Sequence, residues 1–253
     1  MQPHQIVSRE EWIAARKAHL TREKEFTQAR DRLSAERRAL PWVKVDKSYL
    51  FDGPGGQRTL ADLFAGRSQL VVQHFMFAPD WTEGCKSCSF WADGFERMVP
   101  HLAARDTTLV AISRAPLPKL EAFKARMGWT FDWVSSAASD FNYDYAVSFT
   151  PDEIQRGDKL YNFGTAGFGI EDAPGISVFF RDDTGNIFHT YSCFARGLDM
   201  MNAAYHYLDL TPMGRDEDGL PYPMDWVRLR DQYRPAAAAA ACCQRCRPRP
   251  GRA

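Results

Sequence analysis

The chain lacks an excess of charge of either sign. Its 253 residues hold 32 lysines and arginines against 32 aspartates and glutamates, so the formal net charge is zero. A protein whose main partner is nucleic acid usually carries a basic surplus, and we therefore expect no nucleic-acid partner. Apolar runs are also short, and none approaches the roughly 20 residues of a membrane-spanning helix. We expect no membrane partner.

Cysteine is scarce as well. The chain holds six cysteines, and three of them crowd into the last dozen residues, so a scaffold of disulfide bonds is not expected. The first residues lack the basic, apolar and small-residue pattern of a secretory signal, which predicts a cytoplasmic protein. In that compartment a C-x-x-C pair is more typical of redox or metal chemistry than of a structural disulfide.

The most informative motif is a C-x-x-C pair formed by Cys85 and Cys88. An apolar run over residues 70–77 precedes it and predicts a buried strand, because it is too short for a core helix. Apolar residues at helical spacing between Ser89 and Ala104 predict a helix that begins at or just after Cys85. Backbone N–H groups at a helix start stabilise an anion, which lowers the pKa of a thiol there from about 8.5 to roughly 3.5–7.5. We therefore predict that Cys85 is the attacking thiolate and Cys88 the resolving thiol.

Three parts of the chain differ in composition. Residues 1–41 are predicted to form a helical arm, helical over residues 8–40 and ended by Pro41. This arm would pack on the body of the protein or on a second copy, so a homodimer is one expectation. Residues 42–234 form the predicted main domain, and residues 235–253 have the alanine- and arginine-rich composition of a disordered tail. The arm repeats an apolar or aromatic position every seven residues, at Trp12, His19, Phe26, Leu33 and Leu40.

The main domain alternates strand and helix patterns. Strands are predicted over residues 70–77 and 107–113, and two later strands over residues 176–181 and 187–194 are joined by a polar turn. This order predicts an α/β fold, in which helices flank a mixed central sheet and the two cysteines lie at the carboxyl end of an early strand. An aromatic-rich insert over about residues 128–175 would cover one face of the sheet or form a wall beside the thiols. A further strand is predicted over residues 43–51, and helices over residues 59–64, 89–104, 117–127 and 198–208.

The order strand, C-x-x-C helix, strand, helix, hairpin and helix resembles the thioredoxin fold. In detail the chain is similar to the bacterial thioredoxin-like family catalogued as domain of unknown function 899, described as predicted dithiol–disulfide oxidoreductases. The resemblance implies a thioredoxin-like fold, a disulfide substrate and a thiol reductant of unknown identity, and we expect no cofactor. It covers most of residues 8–234. The matching stretches are residues 70–77, 84–94, 175–182, 188–197 and 209–217.

Two departures from the thioredoxin pattern concern the site. Thioredoxins place Trp directly before the first cysteine and Pro directly before the second, whereas this chain has Gly84 and Ser87 there, with Trp81 four residues before Cys85. Thioredoxin-like folds also set a cis-proline just before the strand that faces the thiols, and the resemblance implies that Pro174 takes this place. Trp81 and Pro174 are therefore the candidate substrate-binding residues.

Peroxiredoxins resemble the chain at the loop before the first cysteine. Pro79, Thr82 and Cys85 match the peroxiredoxin pattern Pro-x-x-x-Thr-x-x-Cys, except that one residue is missing between the proline and the threonine. This second resemblance implies peroxide as an alternative substrate, with the chain acting as a thiol peroxidase.

Other interpretations of the same residues stay open. Cys85, Cys88, His189 and Cys193 have spacings that suit zinc, but positions 189 and 193 of a strand lie about 13 Å apart at ~3.3 Å per residue. A non-catalytic binding module would keep the fold and use the aromatic insert as a surface. The cysteines of the pair would otherwise pack as small apolar residues. His74 is expected to be satisfied in the core, although it lies in the strand before the cysteine loop.

Overall fold

The computed structural model describes residues 4–157, 159–165 and 169–233, and the tail predicted over residues 235–253 lies outside them. Its eight strands are β1 (Val43–Lys44), β2 (Leu50–Gly53), β3 (Gly56–Thr59), β4 (Gln69–His74), β5 (Thr107–Ser113), β6 (Asp132–Ser135), β7 (Gly175–Arg181) and β8 (Ile187–Phe194). Its eight α-helices are α1 (Arg9–Arg38), α2 (Leu60–Leu63), α3 (Lys86–Phe95), α4 (Val99–Ala103), α5 (Leu117–Met127), α6 (Phe141–Asp144), α7 (Pro151–Arg156) and α8 (Ala203–Leu208). Short 3₁₀ helices cover Tyr161–Gly164, Ala195–Met201 and Arg230–Gln232.

The strands form one mixed sheet in the order β1-β8-β7-β4-β5-β6-β2-β3. Strand β4 lies inside the sheet, where it pairs in parallel with β5 and antiparallel with β7. Strand β6 continues the parallel part beside β5, and β8 pairs antiparallel with β7. Helix α3 follows β4, helix α5 follows β5, and the β7–β8 hairpin comes last. This is the thioredoxin-like α/β arrangement, so the fold class predicted from the sequence is confirmed.

Both faces of the sheet are buried because successive strand residues point to opposite faces. In β5, Leu109 and Ala111 join a core cluster with α3 and α5. Val110 and Ile112 join a second cluster on the other face, with α2 and α6. The face that carries α3 is therefore the face on which the C-x-x-C pair lies.

Some predicted helices and strands have the observed bounds, whereas one predicted helix is two helices in the structure. The strand predicted over residues 107–113 and the helix predicted over residues 117–127 have the observed bounds of β5 and α5. The helix predicted over residues 89–104 is instead two helices, α3 and α4. Pro100 has no N–H to continue the hydrogen-bond ladder, which explains the division.

Two further predictions need correction. The single strand predicted over residues 43–51 is two separate strands, β1 and β2, which pair at different places in the sheet. The helix predicted over residues 198–208 is a 3₁₀ segment followed by α8. Asn202 separates them, because its side chain accepts a hydrogen bond from the backbone N–H of Tyr205 and caps α8.

The aromatic-rich segment over residues 128–175 does not cover one face of the sheet only. It contributes β6 to the sheet itself. Trp129 and Trp133 pack into the cluster beside α3, whereas Phe141 packs into the cluster on the opposite face. These three aromatic residues therefore help to build the core on both sides of the sheet.

Helix α1 is long and exposed. A capping box of Ser8 and Glu11 fixes its start, and none of its residues is buried. Trp12, Phe26 and Leu33 of the seven-residue repeat are 52%, 68% and 55% exposed. None of the helices in the described ranges combines the length and the apolar composition needed to cross a membrane.

Candidate active site

The two cysteines lie at the start of α3. The backbone N–H of Cys85 donates to the carbonyl of Met76 at 3.0 Å, which closes the loop that leaves β4. Cys85 is the N-cap of α3, and its carbonyl accepts the first helical hydrogen bond, from the N–H of Ser89 at 2.9 Å. Its Sγ accepts the N–H of Cys88 at 3.5 Å. The predicted helix start at or just after Cys85 is therefore the observed one.

The two thiols differ in exposure. Cys85 is partly exposed, whereas Cys88 is 2% exposed and packs in the core cluster of α3 and α5. Cys88 Sγ accepts the backbone N–H of Met76 at 3.5 Å. Both cysteines are free thiols. An incoming molecule can therefore meet Cys85 first, with Cys88 behind it.

The pKa values of the two thiols shift in opposite directions. A hydrogen bond from the Cys88 thiol lowers the pKa of Cys85 to about 7, helped by the backbone N–H groups of Cys88 and Ser87 and opposed by burial. Burial raises the pKa of Cys88 well above its ordinary value. Sequence reasoning anticipated the backbone N–H groups at the helix start, but the neighbouring thiol has the larger effect on Cys85.

Gly84, which stands where thioredoxins have tryptophan, is required by packing. A Cβ atom at this position would lie 2.9 Å from a ring carbon of Phe123 and 2.9 Å from a ring carbon of Phe75. Any side chain would therefore push the loop away from the core and displace Cys85 with it. The departure from the thioredoxin pattern follows from the two phenylalanine rings under the loop.

A cavity of about 370 Å³ opens beside the two sulfur atoms. Apolar side chains form most of its surface, and a smaller set of polar groups shares it. The apolar lining includes Met76, Trp91, Pro174, Leu198 and Met224. A larger cavity of about 740 Å³ runs along residues 189–197, but it contains neither cysteine of the pair.

The C-terminal part of the described chain closes one side of the small cavity. The Glu217 carboxylate accepts hydrogen bonds from Trp226 Nε1 at 2.6 Å, from the Tyr205 hydroxyl at 2.8 Å and from the backbone N–H of Met224 at 3.0 Å. Lys86 Nζ donates to the carbonyl of Asp225 at 2.9 Å. The segment formed by residues 217–226, here termed the C-terminal cover, is therefore fastened to α8 and to the start of α3.

Sequence reasoning missed the C-terminal cover. Its residues show no helical or strand period, and the contacts that hold it join positions up to 139 residues apart in the chain. The only available signal was the similarity of residues 209–217 to the family, which gives no spatial information. Contacts of this kind are visible only in three dimensions.

The two candidate substrate-binding residues lie in different surroundings. Pro174 lines the cavity beside the thiols, and its carbonyl accepts a hydrogen bond from the Tyr161 hydroxyl at 2.9 Å. The expectation of a cis peptide bond there is wrong, because no described residue has one. Trp81 does not line this cavity; it packs partly buried against the cluster of α3 and α5, and its carbonyl accepts a hydrogen bond from Lys119 Nζ at 2.9 Å.

The peroxiredoxin-like positions also lie away from the cavity. Neither Pro79 nor Thr82 lines it, and Thr82 is exposed. The carbonyl of Pro79 accepts a hydrogen bond from Lys119. The loop therefore brings Cys85 to the cavity without bringing Thr82 beside it.

The structure does not bring together the four residues of the zinc alternative, Cys85, Cys88, His189 and Cys193. His189 packs against Phe179 on the sheet face opposite α3, whereas Cys193 packs with Trp91 and Ile176 on the α3 face. The described residues include no group of three histidines, cysteines or acidic residues placed to hold one metal ion. In a regular strand, positions 189 and 193 would share one face. The register shift between Val178 and Phe179 places their side chains on opposite faces instead.

His74 lies in the core, as expected, but it is not fully satisfied there, because its Nδ1 has no hydrogen-bond partner among the described residues. It is 1% exposed, and its Nε2 is 2.8 Å from the Ser177 hydroxyl. Burial lowers the pKa of His74 to about 3, so the ring is neutral at pH 7. Because it faces the cluster with Phe141 on the side opposite α3, it does not touch the thiols.

Residues 1–233 match the family described as bacterial protein of unknown function, DUF899. The chain belongs to this family, which confirms the resemblance seen in the sequence. No protein of curated function matches the chain.

Several solved structures are similar to the chain at low sequence identity. Peroxidoxin BcpB from Mycobacterium tuberculosis is 15% identical, with 64% of this chain and 93% of that one covered and a TM-score of 0.43. Peroxiredoxin Q from Xanthomonas campestris is 16% identical, with 62% and 86% covered and a TM-score of 0.43. A protein from Chlorobium tepidum, provisionally assigned as thiol:disulfide interchange protein DsbE, is 16% identical, with 65% and 97% covered and a TM-score of 0.35.

Proposed function

We propose that this member of the DUF899 family is a dithiol–disulfide oxidoreductase that uses Cys85 and Cys88. The observation that carries the proposal is the difference between the two thiols at the start of α3. Cys85 is partly exposed, borders a cavity and has a pKa of about 7, so roughly half of it is thiolate at pH 7. Cys88 is buried and has a raised pKa, as suits a thiol that reacts second.

The reaction needs two thiol exchanges. The Cys85 thiolate attacks one sulfur of a substrate disulfide; the S–S bond breaks, and the leaving thiolate takes up a proton. A mixed disulfide now joins Cys85 to the other half of the substrate. Cys88 then loses its proton and attacks Cys85 Sγ, which releases the second half as a thiol and leaves a Cys85–Cys88 disulfide. Two electrons pass from the protein to the substrate, and an external thiol reductant restores the dithiol.

The proposed partners follow from this cycle. They are a disulfide substrate and a thiol reductant, in the cytoplasm, and the two exchanges use no bound cofactor. The reverse direction, in which the protein oxidises a dithiol, uses the same residues. The reduction potential of the pair relative to its partners decides which direction runs.

Thiol peroxidase activity is the second candidate, favoured by the small size of the cavity at Cys85. In that reaction the Cys85 thiolate attacks the O–O bond of a peroxide, an alcohol or water leaves, and a sulfenic acid forms. Cys88 attacks the sulfenic sulfur, water leaves, and the same internal disulfide results. The exposed position of Thr82, outside the cavity, separates this site from the peroxiredoxin loop pattern.

The first test is mass spectrometry of the protein equilibrated in thiol buffers of graded potential. We expect a single two-electron transition that maps to Cys85 and Cys88. Cys193, which is a free, buried thiol outside the cavity, provides the matched control. Cys193→Ser should leave the transition in place, whereas Cys85→Ser and Cys88→Ser should each remove it. A protein without this transition is not an oxidoreductase of this kind.

Steady-state assays then separate the candidate activities. A disulfide reductase turns over a disulfide substrate and loses that turnover in Cys85→Ser, while a peroxidase shows the same dependence with peroxide. A non-catalytic binding module would turn over neither substrate and would keep its partner after its thiols are alkylated.

A further inference from the structure

Gln73 is an unusual residue for the centre of this sheet. It lies in β4, where it pairs with Ala111 of β5 and Ile176 of β7. Its side chain is on the face of α3 and lines the cavity that contains both cysteines of the pair. The residue is only 3% exposed, so the amide is nearly enclosed by protein.

No hydrogen bond joins the side-chain amide of Gln73 to another described residue, and its polar atoms are not among the fully enclosed, unpartnered atoms of the described chain, so they face the cavity. Met76 and Pro174 share the lining with it and have apolar side chains, and the indole N–H of Trp91 already donates to the Leu198 carbonyl. The group is therefore available to a molecule that enters the cavity.

The charged side chains around the same cavity are already paired. The Arg215 guanidinium bonds to Asp199 at 2.8 Å and to Asp209 at 2.9 Å, and Arg196 bonds to Asp199 at 2.9 Å. Glu217 accepts three hydrogen bonds from neighbouring groups. Because these charges have partners, the cavity offers an entering molecule neutral polar groups, among them the Gln73 amide beside the Ser87 and Tyr222 side chains, in a largely apolar wall.

The size and enclosure of the cavity limit what can reach Cys85. Its volume of about 370 Å³ lies at the lower end of the roughly 300–1,000 Å³ of small-molecule sites. The C-terminal cover closes it near the thiols, held by Lys86 Nζ on the Asp225 carbonyl and by the hydrogen bonds of Glu217. The disulfide of a folded protein would have to displace this cover, whereas a small molecule would not.

We infer that the substrate is a neutral disulfide of low molecular weight, with an amide or carbonyl group near its sulfurs that hydrogen-bonds to Gln73. This inference rests on the proposed function and adds the substrate class to it. The chemistry is the exchange given above, in which Cys85 forms the mixed disulfide and each half of the substrate leaves as a thiol. Gln73 binds the substrate and takes no part in the exchange of electrons.

The test compares four disulfides with the intact protein. N,N′-diacetylcystamine is small and neutral and carries amides; cystamine is its doubly charged counterpart; diethyl disulfide lacks polar groups; and insulin provides protein disulfides. We expect kcat/KM for N,N′-diacetylcystamine to exceed the values for cystamine and insulin at least tenfold. Equal or faster reduction of insulin or of cystamine would overturn the inference.

The variant Gln73→Met tests the role of the amide. Methionine keeps the length of the side chain and removes the amide. We expect a roughly twofold to tenfold rise in KM for N,N′-diacetylcystamine, the size of one neutral hydrogen bond, with kcat unchanged and no change for diethyl disulfide. A loss of equal size for both substrates, or none for either, would overturn the role of Gln73.

The redox titration of the proposed function separates the two possible failures. If Cys85 and Cys88 show the two-electron transition but the four substrates are reduced alike, the function stands and the substrate class is wrong. If the transition is absent, the proposed function is wrong and the substrate class is wrong with it.

Discussion

The pKa of Cys85 should rise when Cys88 is replaced by alanine. The largest influence that lowers it is the hydrogen bond from the Cys88 thiol, and the smaller ones are backbone N–H groups that the substitution leaves in place. With a pKa of about 7, against an ordinary 9.0, Cys85 is roughly half thiolate at pH 7, whereas an ordinary thiol would be about 1% thiolate. Only the thiolate reacts, so alkylation of Cys85 should rise with pH through a midpoint near 7.

In Cys88→Ala the midpoint should move upward by about one pH unit, because part of the lowering is retained. Alkylation of Cys85 at pH 7 should then be roughly fivefold slower than in the wild type. Cys88→Ser is the matched control, since a hydroxyl can donate to Cys85 in place of the thiol and should hold the midpoint closer to 7.

The assay is iodoacetamide labelling over a pH series, with peptide mass spectrometry to assign each alkylated cysteine. A wild-type midpoint near 9 would refute the assignment of Cys85 as the attacking thiolate. An unchanged midpoint in Cys88→Ala would refute the role of the neighbouring thiol.

Three substitutions and one control, Gly94→Ala, test the packing and polar contacts around the site by equilibrium unfolding. Gly84→Ala should lower the free energy of unfolding by about 1–3 kcal/mol, because its methyl would meet two phenylalanine rings at 2.9 Å. Gly94→Ala in α3, where a methyl meets no atom within 4 Å, should raise the free energy of unfolding by up to about 1 kcal/mol. Trp91→Phe should cost roughly 1–3 kcal/mol, because it removes the indole N–H that donates to the Leu198 carbonyl at 2.9 Å. Arg114→Met should cost roughly 3–5 kcal/mol, because Asp172, which is 3% exposed, loses the guanidinium 2.7 Å away.

Each of these effects has a result that would contradict it. Equal stability of Gly84→Ala and Gly94→Ala would mean that the loop before Cys85 can move away from the rings at no cost. A neutral Trp91→Phe would mean that the Leu198 carbonyl finds another donor. A neutral Arg114→Met would mean that water reaches the Asp172 carboxylate.

The sequence predicts the parts of the fold whose signals are local. Strand β5 and helix α5 have the predicted bounds because a continuous apolar run and a helical period are each read from neighbouring residues. The start of α3 at Cys85 was predicted for the same reason. The end of α3 at Phe95 was not predicted. Apolar residues at helical spacing continue beyond Pro100, whereas the helical hydrogen bonds do not.

Parts of the site that depend on distant contacts could not be predicted. Glu217 becomes a hydrogen-bond acceptor for Tyr205 and Trp226 only because the chain returns to α3. Gln73 is one polar residue in an apolar run, and its place beside the thiols depends on which face of β4 meets α3. The local pattern therefore predicts the two candidate cysteines, whereas the cavity beside them is formed by tertiary structure.

The position of the C-terminal cover in the chain also affects synthesis. About 130 residues lie between Cys88 and Glu217, and a ribosome adds roughly 5–20 residues per second. The thiol pair therefore emerges roughly 6–26 s before the residues that shelter it. During that interval the C-terminal cover is not yet available to close the cavity beside the two sulfurs.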